Sequence, residues 1–409
     1  MKLIIHRGTN EIGGSCVEFN NGCKRIVFDV GLPLNAIDEG LDISCYKPNI
    51  SGLFGEESDI AAVFISHAHP DHYGLLSLIN KNIPIYMSKA SAILLKKVVP
   101  LLGKENYGDL NIKEISDGEE VRIDDFSVRA YEVDHSAASA MAFEISVEDK
   151  RILYSGDIRF HGRRAWRSRK LTSNIASPDY LLLEGSTLGR ENQEQLTEYD
   201  IEKRLTEFFA EPKLSLIVFS TQNIDRLVSV YKACVRQNKI LVLDPYSCAI
   251  LENLRDISAH LPQFNWNNIR VYFAGNSITR KLAENGDLYR YKTAKVTFDE
   301  IVSNPEKYVV KANFAITEKL FEKFGADNMR LIYSLWSGYW DKPGFWHELK
   351  DKLVHVHTSG HAGIKDLQDF VKAVRPKHII PIHTVCKNKY ADLFEADAVA
   401  LDDNEEMEL

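Results

Sequence analysis

The chain has 409 residues, 44% hydrophobic and 26% charged, too long for one ordinary core and too apolar for a disordered segment. Its formal net charge of −8 excludes an overall basic coat for nucleic acid, but not a polyanionic substrate, because metal ions and a local basic strip can set the field inside a cleft. The six cysteines are scattered without a C-x-x-C pair, so they read as free thiols of a reducing cytoplasm rather than a disulfide frame or a thiolate zinc site. No apolar run reaches the length of a membrane span, so no membrane is expected as partner.

In chain order, residues 1–192 read as short apolar strands separated by turns and a few helices. Met1-Lys-Leu-Ile-Ile-His6 is a first strand, too soon polar for a cleavable signal. Arg25 to Gly31, Ala61 to Ser66, Arg151 to Ser155 and Tyr180 to Glu184 are strands that end in polar or charged residues. Segments 74–80 and 89–102 carry helical apolar spacing. Strands this apolar are buried on both faces, which predicts a layered α/β arrangement with sites at strand ends. From 193 to 345 the rhythm changes to helix Thr197–Phe209, strand Leu214–Phe219, helix Asp225–Gln237 and strand Lys239–Leu243, the pattern of a separate parallel-sheet domain. Residues 346–401 return to the first style, with strand Leu353–His357, helix Ile364–Val374 and strand His378–Ile382. The acid-rich 402–409 read as a solvated tail.

The sharpest chemical signal is Ser66-His67-Ala68-His69-Pro70-Asp71-His72, with four candidate metal ligands immediately after a strand. Imidazole and carboxylate without cysteine suit zinc, manganese or iron in an open, catalytic site. One segment cannot enclose two ions, so other strand ends must contribute. His135 in Val133-Asp-His-Ser136, Asp157 after Tyr154-Ser-Gly, and His383 after Ile380-Pro-Ile are the candidates. Each alone is equally well a cap or a surface group; their shared position at strand ends sets them apart.

The order Asp29, His67-x-His69-x-Asp71-His72, His135, Asp157 resembles the four sequence motifs of the metallo-β-lactamase superfamily. The resemblance implies an αβ/βα sandwich with two divalent metal ions, Zn2+ or Mn2+, at the edge of its sheets. One ion would be held by His67, His69 and His135, the other by Asp71, His72 and a further histidine, with Asp157 bridging and Asp29 supporting the ligands from behind. Leu182-Leu-Glu184-Gly-Ser-Thr187, His357-Thr-Ser359-Gly-His361-Ala362 and Pro381-Ile-His383 are similar to motifs A, B and C of the β-CASP nucleases, and 193–345 falls where that family carries its inserted cap domain.

Within the family the chain resembles the branch around ribonuclease J. Gly8-Thr-Asn-Glu-Ile-Gly13 and Phe219-Ser-Thr-Gln-Asn223 fit that branch, and a histidine at motif C favours RNA, single-stranded, as substrate. Thr384, where glycine is common, departs from the pattern. The resemblance implies phosphodiester hydrolysis, exo- or endonucleolytic, with Asp71 accepting the water's proton and His361, oriented by Glu184, acting as general acid. A DNA exonuclease or a small-molecule metallo-hydrolase on the same scaffold is the alternative.

Substrate contacts are expected from His357 and Ser359 beside motif B and from Ser220, Thr221 and Asn223 at a helix start, where N-capping is an equal reading. Arg159, Arg163, Arg164, Arg167, Arg169 and Lys170 form a strip that either guides a phosphate backbone or is a solvated face. The dense aromatics from Tyr333 to Trp346 read as packing before base stacking. The family likeness also leaves a homodimer open.

Overall fold

The computed structural model describes residues 1–39, 42–55, 57–103, 107–175, 177–190, 195–340 and 344–409. The strands, in chain order, begin with β1 (Lys2–Arg7), β2 (Cys16–Asn20), β3 (Arg25–Phe28), β4 (Ile60–Phe64), β5 (Ile85–Ser88) and β6 (Ile112–Ile115). Next come β7 (Glu120–Ile123), β8 (Phe126–Glu132), β9 (Met141–Val147), β10 (Lys150–Tyr154) and β11 (Tyr180–Glu184). They continue with β12 (Leu214–Val218), β13 (Ile240–Leu243), β14 (Ile269–Val271), β15 (Tyr308–Lys311), β16 (Met329–Tyr333) and β17 (Val354–His355), and close with β18 (His378–Ile382), β19 (Asp397–Ala398) and β20 (Glu406–Glu408).

Two compact units result: Met1–Lys96 with Glu105–Glu194 and Gly360–Leu409, and Lys97–Lys104 with Gln195–Ser359. The first holds two seven-stranded sheets, ordered β20-β1-β2-β3-β4-β5-β6 and β19-β18-β11-β10-β9-β8-β7. Their inner faces share one core in which Phe28 stacks on Phe64 at 5.1 Å and meets Phe143 of the opposite sheet at 5.4 Å. Helices Ala165–Asn174 and Ile364–Val374 cover the outer face of the second sheet through Leu171, Leu367, Phe370 and Val371. This is the αβ/βα sandwich. In each sheet the site-bearing strands run parallel, β3 with β4 and β10 with β11 and β18, so their carboxyl ends lie together along one edge.

The second unit is a six-stranded, wholly parallel sheet, β14-β13-β15-β12-β16-β17, with its own core around Leu216, Val310, Ile316 and Leu331. Helix Glu198–Phe209 starts on a capping box between Thr197 and Asp200, and helix Ile224–Arg236 on Asn223. Arg226 is fully buried, with Nη2 2.9 Å from Glu198 Oε1, and it donates to Ser334 O at 3.0 Å and Thr358 O at 3.3 Å. Arg226→Ala leaves the Glu198 carboxylate buried without its guanidinium. It is expected to destabilise this unit by about 3–5 kcal/mol, read by urea unfolding of the metal-free protein.

Several local expectations change in three dimensions. The return to the first domain falls at Gly360, not 346, because β17 pairs in parallel with β16 through Ile332↔Val354 and Tyr333↔His355. The segment 97–103 joins the second unit, where Leu101 packs with Ala249 and Leu282. Residues 89–102 are a short helix, a π turn and a 3-10 turn in series, the last opening at Val99 with Pro100 next, and 74–80 contain only the turn Leu76–Leu78. The acidic end is no free tail: β20 pairs antiparallel with β1, Glu406 meets Lys2, and Met407 packs on the core.

Candidate metal centre

The histidine-rich segment leaves β4 and is clamped by backbone before any side chain is considered. Ser15 N donates to Asp71 O at 3.1 Å and Val30 N to His72 O at 2.8 Å, while His69 caps the short helix Pro70–Tyr73 with proline at its first position. Gly31 lies so near that a Cβ would sit 1.8 Å from Asp71 O, so only glycine fits there. Asp29 (φ 57°) and His383 (φ 50°) turn out of their strands through left-handed backbone, an uncommon conformation for residues with side chains that concentrates at functional sites.

These strand ends bring the predicted ligands together. His69 Nδ1 lies 3.0 Å from His67 Nε2 and 3.3 Å from His135 Nε2. His72 Nε2 lies 3.2 Å from Asp157 Oδ2, and His383 Nε2 lies 3.8 Å from Asp71 Oδ2. Asp157 stands between the two sets, with Oδ2 3.7 Å from His67 and 3.8 Å from His135 and Oδ1 3.9 Å from His383. The potential ligand atoms form the overlapping groups His67-His69-His135, His67-His72-Asp157, Asp71-His72-His383 and His135-Asp157-His361, each within 4.8 Å.

The donor set fits divalent cations. Asp157 Oδ1 and His383 Nε2 are buried with no hydrogen-bond partner, which is costly unless a cation satisfies them. Burial holds the His67 and His135 imidazoles well below their ordinary pKa, pulls His69 down to about 4 and lowers His383, so these rings are neutral and offer lone pairs at neutral pH. His72 goes the other way: burial lowers it, but Asp157, Asp29 and Asp71 together raise it well above.

Asp29 sits fully buried behind this layer. Its carboxylate accepts from Ser66 N at 2.7 Å, Ser66 Oγ at 2.8 Å and Tyr154 OH at 2.7 Å, and it holds His72 Nδ1 at 2.8 Å, turning Nε2 toward Asp157. Ser66, Tyr154 and Ser15, whose Oγ is 2.8 Å from His383 Nδ1, are supporting residues that the sequence reading assigned no role. The available signal for Ser66 was its place directly before His67; Tyr154 and Ser15 had none. His135 is braced through its neighbour Asp134, which accepts from Gly162 N at 2.7 Å and faces the buried Arg159 at 3.3 Å.

His361 stands at the margin of the cluster, its side chain 20% exposed. Nδ1 is 3.1 Å from Glu184 Oε1 and 3.7 Å from Asp157 Oδ2. Burial would lower this ring, but Glu184 and then Asp157 outweigh it and hold it above the ordinary value. Glu184 is fixed in turn, accepting from Ile158 N at 3.1 Å and from Ser186 N and Oγ at 3.0 and 2.8 Å.

The other expected substrate contacts all lie in the second unit. Asn223 caps its helix through Arg226 N, and buried Thr221 meets Ser247 Oγ at 3.3 Å. His357 Nδ1 faces Ser334 O at 3.3 Å and Arg226 at 3.5 Å; burial and then Arg226 pull it down to about 3. Ser220 is exposed and Ser359 partly so. In the basic strip Arg164 and Arg167 bind Glu132, Lys170 binds Asp117 and Arg159 is buried on Asp134. Trp340 and Trp346 both pack against Tyr333.

The chain is similar to known proteins in sequence and fold. A family model described as a beta-lactamase superfamily domain matches residues 47–207, and one described as a Zn-dependent metallo-hydrolase RNA specificity domain matches 346–399. The chain is 25% identical to Ribonuclease J of Mycoplasma genitalium, over 93% of this chain and 67% of that protein. It is 23% identical to Ribonuclease J of Sinorhizobium meliloti, over 82% and 60%, and 28% identical to Probable RNase MJ4 of Methanocaldococcus jannaschii over 46% of each. The chain thus spans about two thirds or less of the length of these relatives. A crystal structure of a protein of unknown function from Enterococcus faecalis V583 shares the fold, with a TM-score of 0.77 at 20% identity over 99% of both chains. No helix among the described residues is long and apolar enough to cross a membrane. The chain carries a beta-lactamase superfamily domain and a Zn-dependent metallo-hydrolase RNA specificity domain, and its likeness to ribonucleases J is consistent with the β-CASP nuclease family.

Proposed function

We propose that the protein is a metal-dependent ribonuclease that hydrolyses phosphodiester bonds of single-stranded RNA. The observation that carries this reading is the pair of ligand sets sharing Asp157, with the His361–Glu184 couple beside them. His67, His69 and His135 would hold one divalent cation and Asp71, His72 and His383 a second, with Asp157 common to both. Two such cations, zinc or manganese, supply positive charge to the phosphate and lower the pKa of attacking water.

The chain's own groups do the rest. Asp71, whose Oδ2 lies 3.8 Å from both His72 and His383, accepts the proton of the attacking water. His361, kept protonated by Glu184, delivers a proton to the leaving 3′-oxygen, and Glu184 fixes the ring so that no reorientation is needed at that moment. RNA rather than DNA is supported by the names of the relatives, by the RNA specificity domain match and by the histidine at position 383.

The test is timed cleavage of 5′- and 3′-labelled single-stranded RNA and DNA, with metal analysis of the same preparation. RNA is expected to be cleaved faster than DNA, activity to vanish with chelator and return with zinc or manganese, and Asp71→Ala to be inactive while folded. The label that first appears in short products separates action from an end from internal cutting. Turnover of lactams or thioesters with intact RNA would overturn the proposal.

A further inference from the structure

The second unit contains a cavity that none of the roles above uses. From β12 the chain moves to one side of the sheet, to β13 and β14; it then inserts β15 beside β12 and crosses to β16 and β17 on the other side. Right-handed crossovers therefore place the helix after β12 (Ile224–Arg236) and the helix after β15 (Phe314–Phe324) on opposite faces. The carboxyl ends of β12 and β15 mark the switch between the two directions, the position at which open parallel sheets bind ligands. A half-open cavity of about 170 Å³ lies there, bounded by Val218 at the end of β12 and by Ala312 and Asn313 after β15. An apolar cavity of about 150 Å³ is known to take a benzene-sized ring.

Its walls state what it would hold. Phe345 and Trp346, with ring centroids 5.0 Å apart at 84°, line one side and offer a face for a planar ring. Thr317 also lines it, 4% exposed, and its hydroxyl makes no hydrogen bond, not even the usual one to the carbonyl a turn earlier in its helix. Among the described residues of the lining the single ionisable group is the exposed Glu318 carboxylate, with no lysine or arginine, which favours a neutral group rich in N–H donors over a phosphate. Among RNA bases, guanine alone presents two neighbouring donors, N1–H and N2–H, on one edge, and two carboxylate oxygens accept such a pair together.

We propose that this cavity binds a guanine base, with Glu318 accepting from its N1–H and N2–H edge, Thr317 bonding another polar atom and Trp346 or Phe345 stacking on the ring. The proposal rests on the ribonuclease reading for its biological sense. It covers two sources of the base, a guanosine within the RNA chain or a free guanine nucleoside.

The experiment is calorimetric titration of the full-length, metal-loaded protein with guanosine, adenosine, cytidine and uridine. Guanosine is expected to bind at least about tenfold more tightly than the others, and Glu318→Gln to weaken it about tenfold. Thr317→Val is expected to weaken guanosine binding while raising Tm, because it removes a buried hydroxyl without a partner; a purely structural hydroxyl would lower Tm instead. Four equal affinities, no binding, or an unchanged affinity in Glu318→Gln would overturn the site.

Competition by guanosine against a labelled RNA containing one guanosine, compared with an RNA containing none, distinguishes the sources. Selective displacement of the first RNA assigns the cavity to the chain's own base; binding of guanosine alone assigns it to the free nucleoside. Nucleosides carry no phosphodiester bond, so the two readings fail separately. RNA cleavage without guanosine binding removes the cavity's role only, and guanosine binding without RNA cleavage removes the ribonuclease reading only.

Discussion

Replacing His361 with alanine is expected to lower kcat on RNA by roughly two to four orders of magnitude, the usual contribution of a positioned general acid, with bound metal unchanged. The reason is the geometry at the cluster's margin. His361 stands at the partly exposed margin and is held by a carboxylate outside the ligand groups, with Nδ1 3.1 Å from Glu184 Oε1. It also falls within 4.8 Å of His135 and Asp157 in one of the four groups, so a ligand role is the competing explanation. Metal content measured beside kcat separates them: a general acid leaves stoichiometry intact, whereas a ligand takes metal with it. Glu184→Gln, which keeps the shape but loses the charge, is expected to lower kcat with little change in KM, because Glu184 acts through His361 and touches no substrate. Loss of metal in His361→Ala would end the assignment.

Asp29→Ala carries the second large effect, and it falls on metal affinity rather than on the chemical step. Four donors converge on this carboxylate: Ser66 N, Ser66 Oγ, Tyr154 OH and His72 Nδ1. Without it, His72 loses the bond that fixes its ring and tautomer. Removal of such a partner behind a metal ligand typically costs about 10–100-fold in affinity. The buried donors left without an acceptor cost about 1–3 kcal/mol each, so the metal-free protein is also expected to unfold at lower urea. Zinc titration against a chelator of known affinity reads the first effect and urea unfolding the second. An unchanged zinc affinity would show that His72 is oriented by its neighbours alone.

Much of this centre was legible because its signals are local. His67, His69, Asp71 and His72 lie within six positions after an apolar strand, and such spacing leaves few other uses for the residues. His135, Asp157 and His383 were legible through the same feature, a polar residue ending an apolar strand in a sheet buried on both faces. The basic run from Arg159 to Lys170 was ambiguous for the opposite reason. Arg159, Arg164, Arg167 and Lys170 find their partners in Asp117, Glu132 and Asp134, which lie in the turn before β7 and at or just after the end of β8 and meet them only once β8 and the helix Ala165–Asn174 are folded together.

The same division holds for the fold. The sequence by itself determined the strand-end chemistry and the change of rhythm near residue 193, because hydrophobic period and ligand spacing are carried by neighbouring residues. Only the tertiary structure decided that 354–355 complete the parallel sheet of the second unit, that 406–408 pair with the first strand, and that Ser15, Ser66 and Tyr154 orient the ligands. Two- and three-residue strands have too few side chains to show a period, and a hydroxyl acquires its role from a distant acceptor, 125 positions away for Tyr154 and Asp29. Such choices are made by pairing across the folded chain, where the free energy of a contact depends on which surfaces burial brings together.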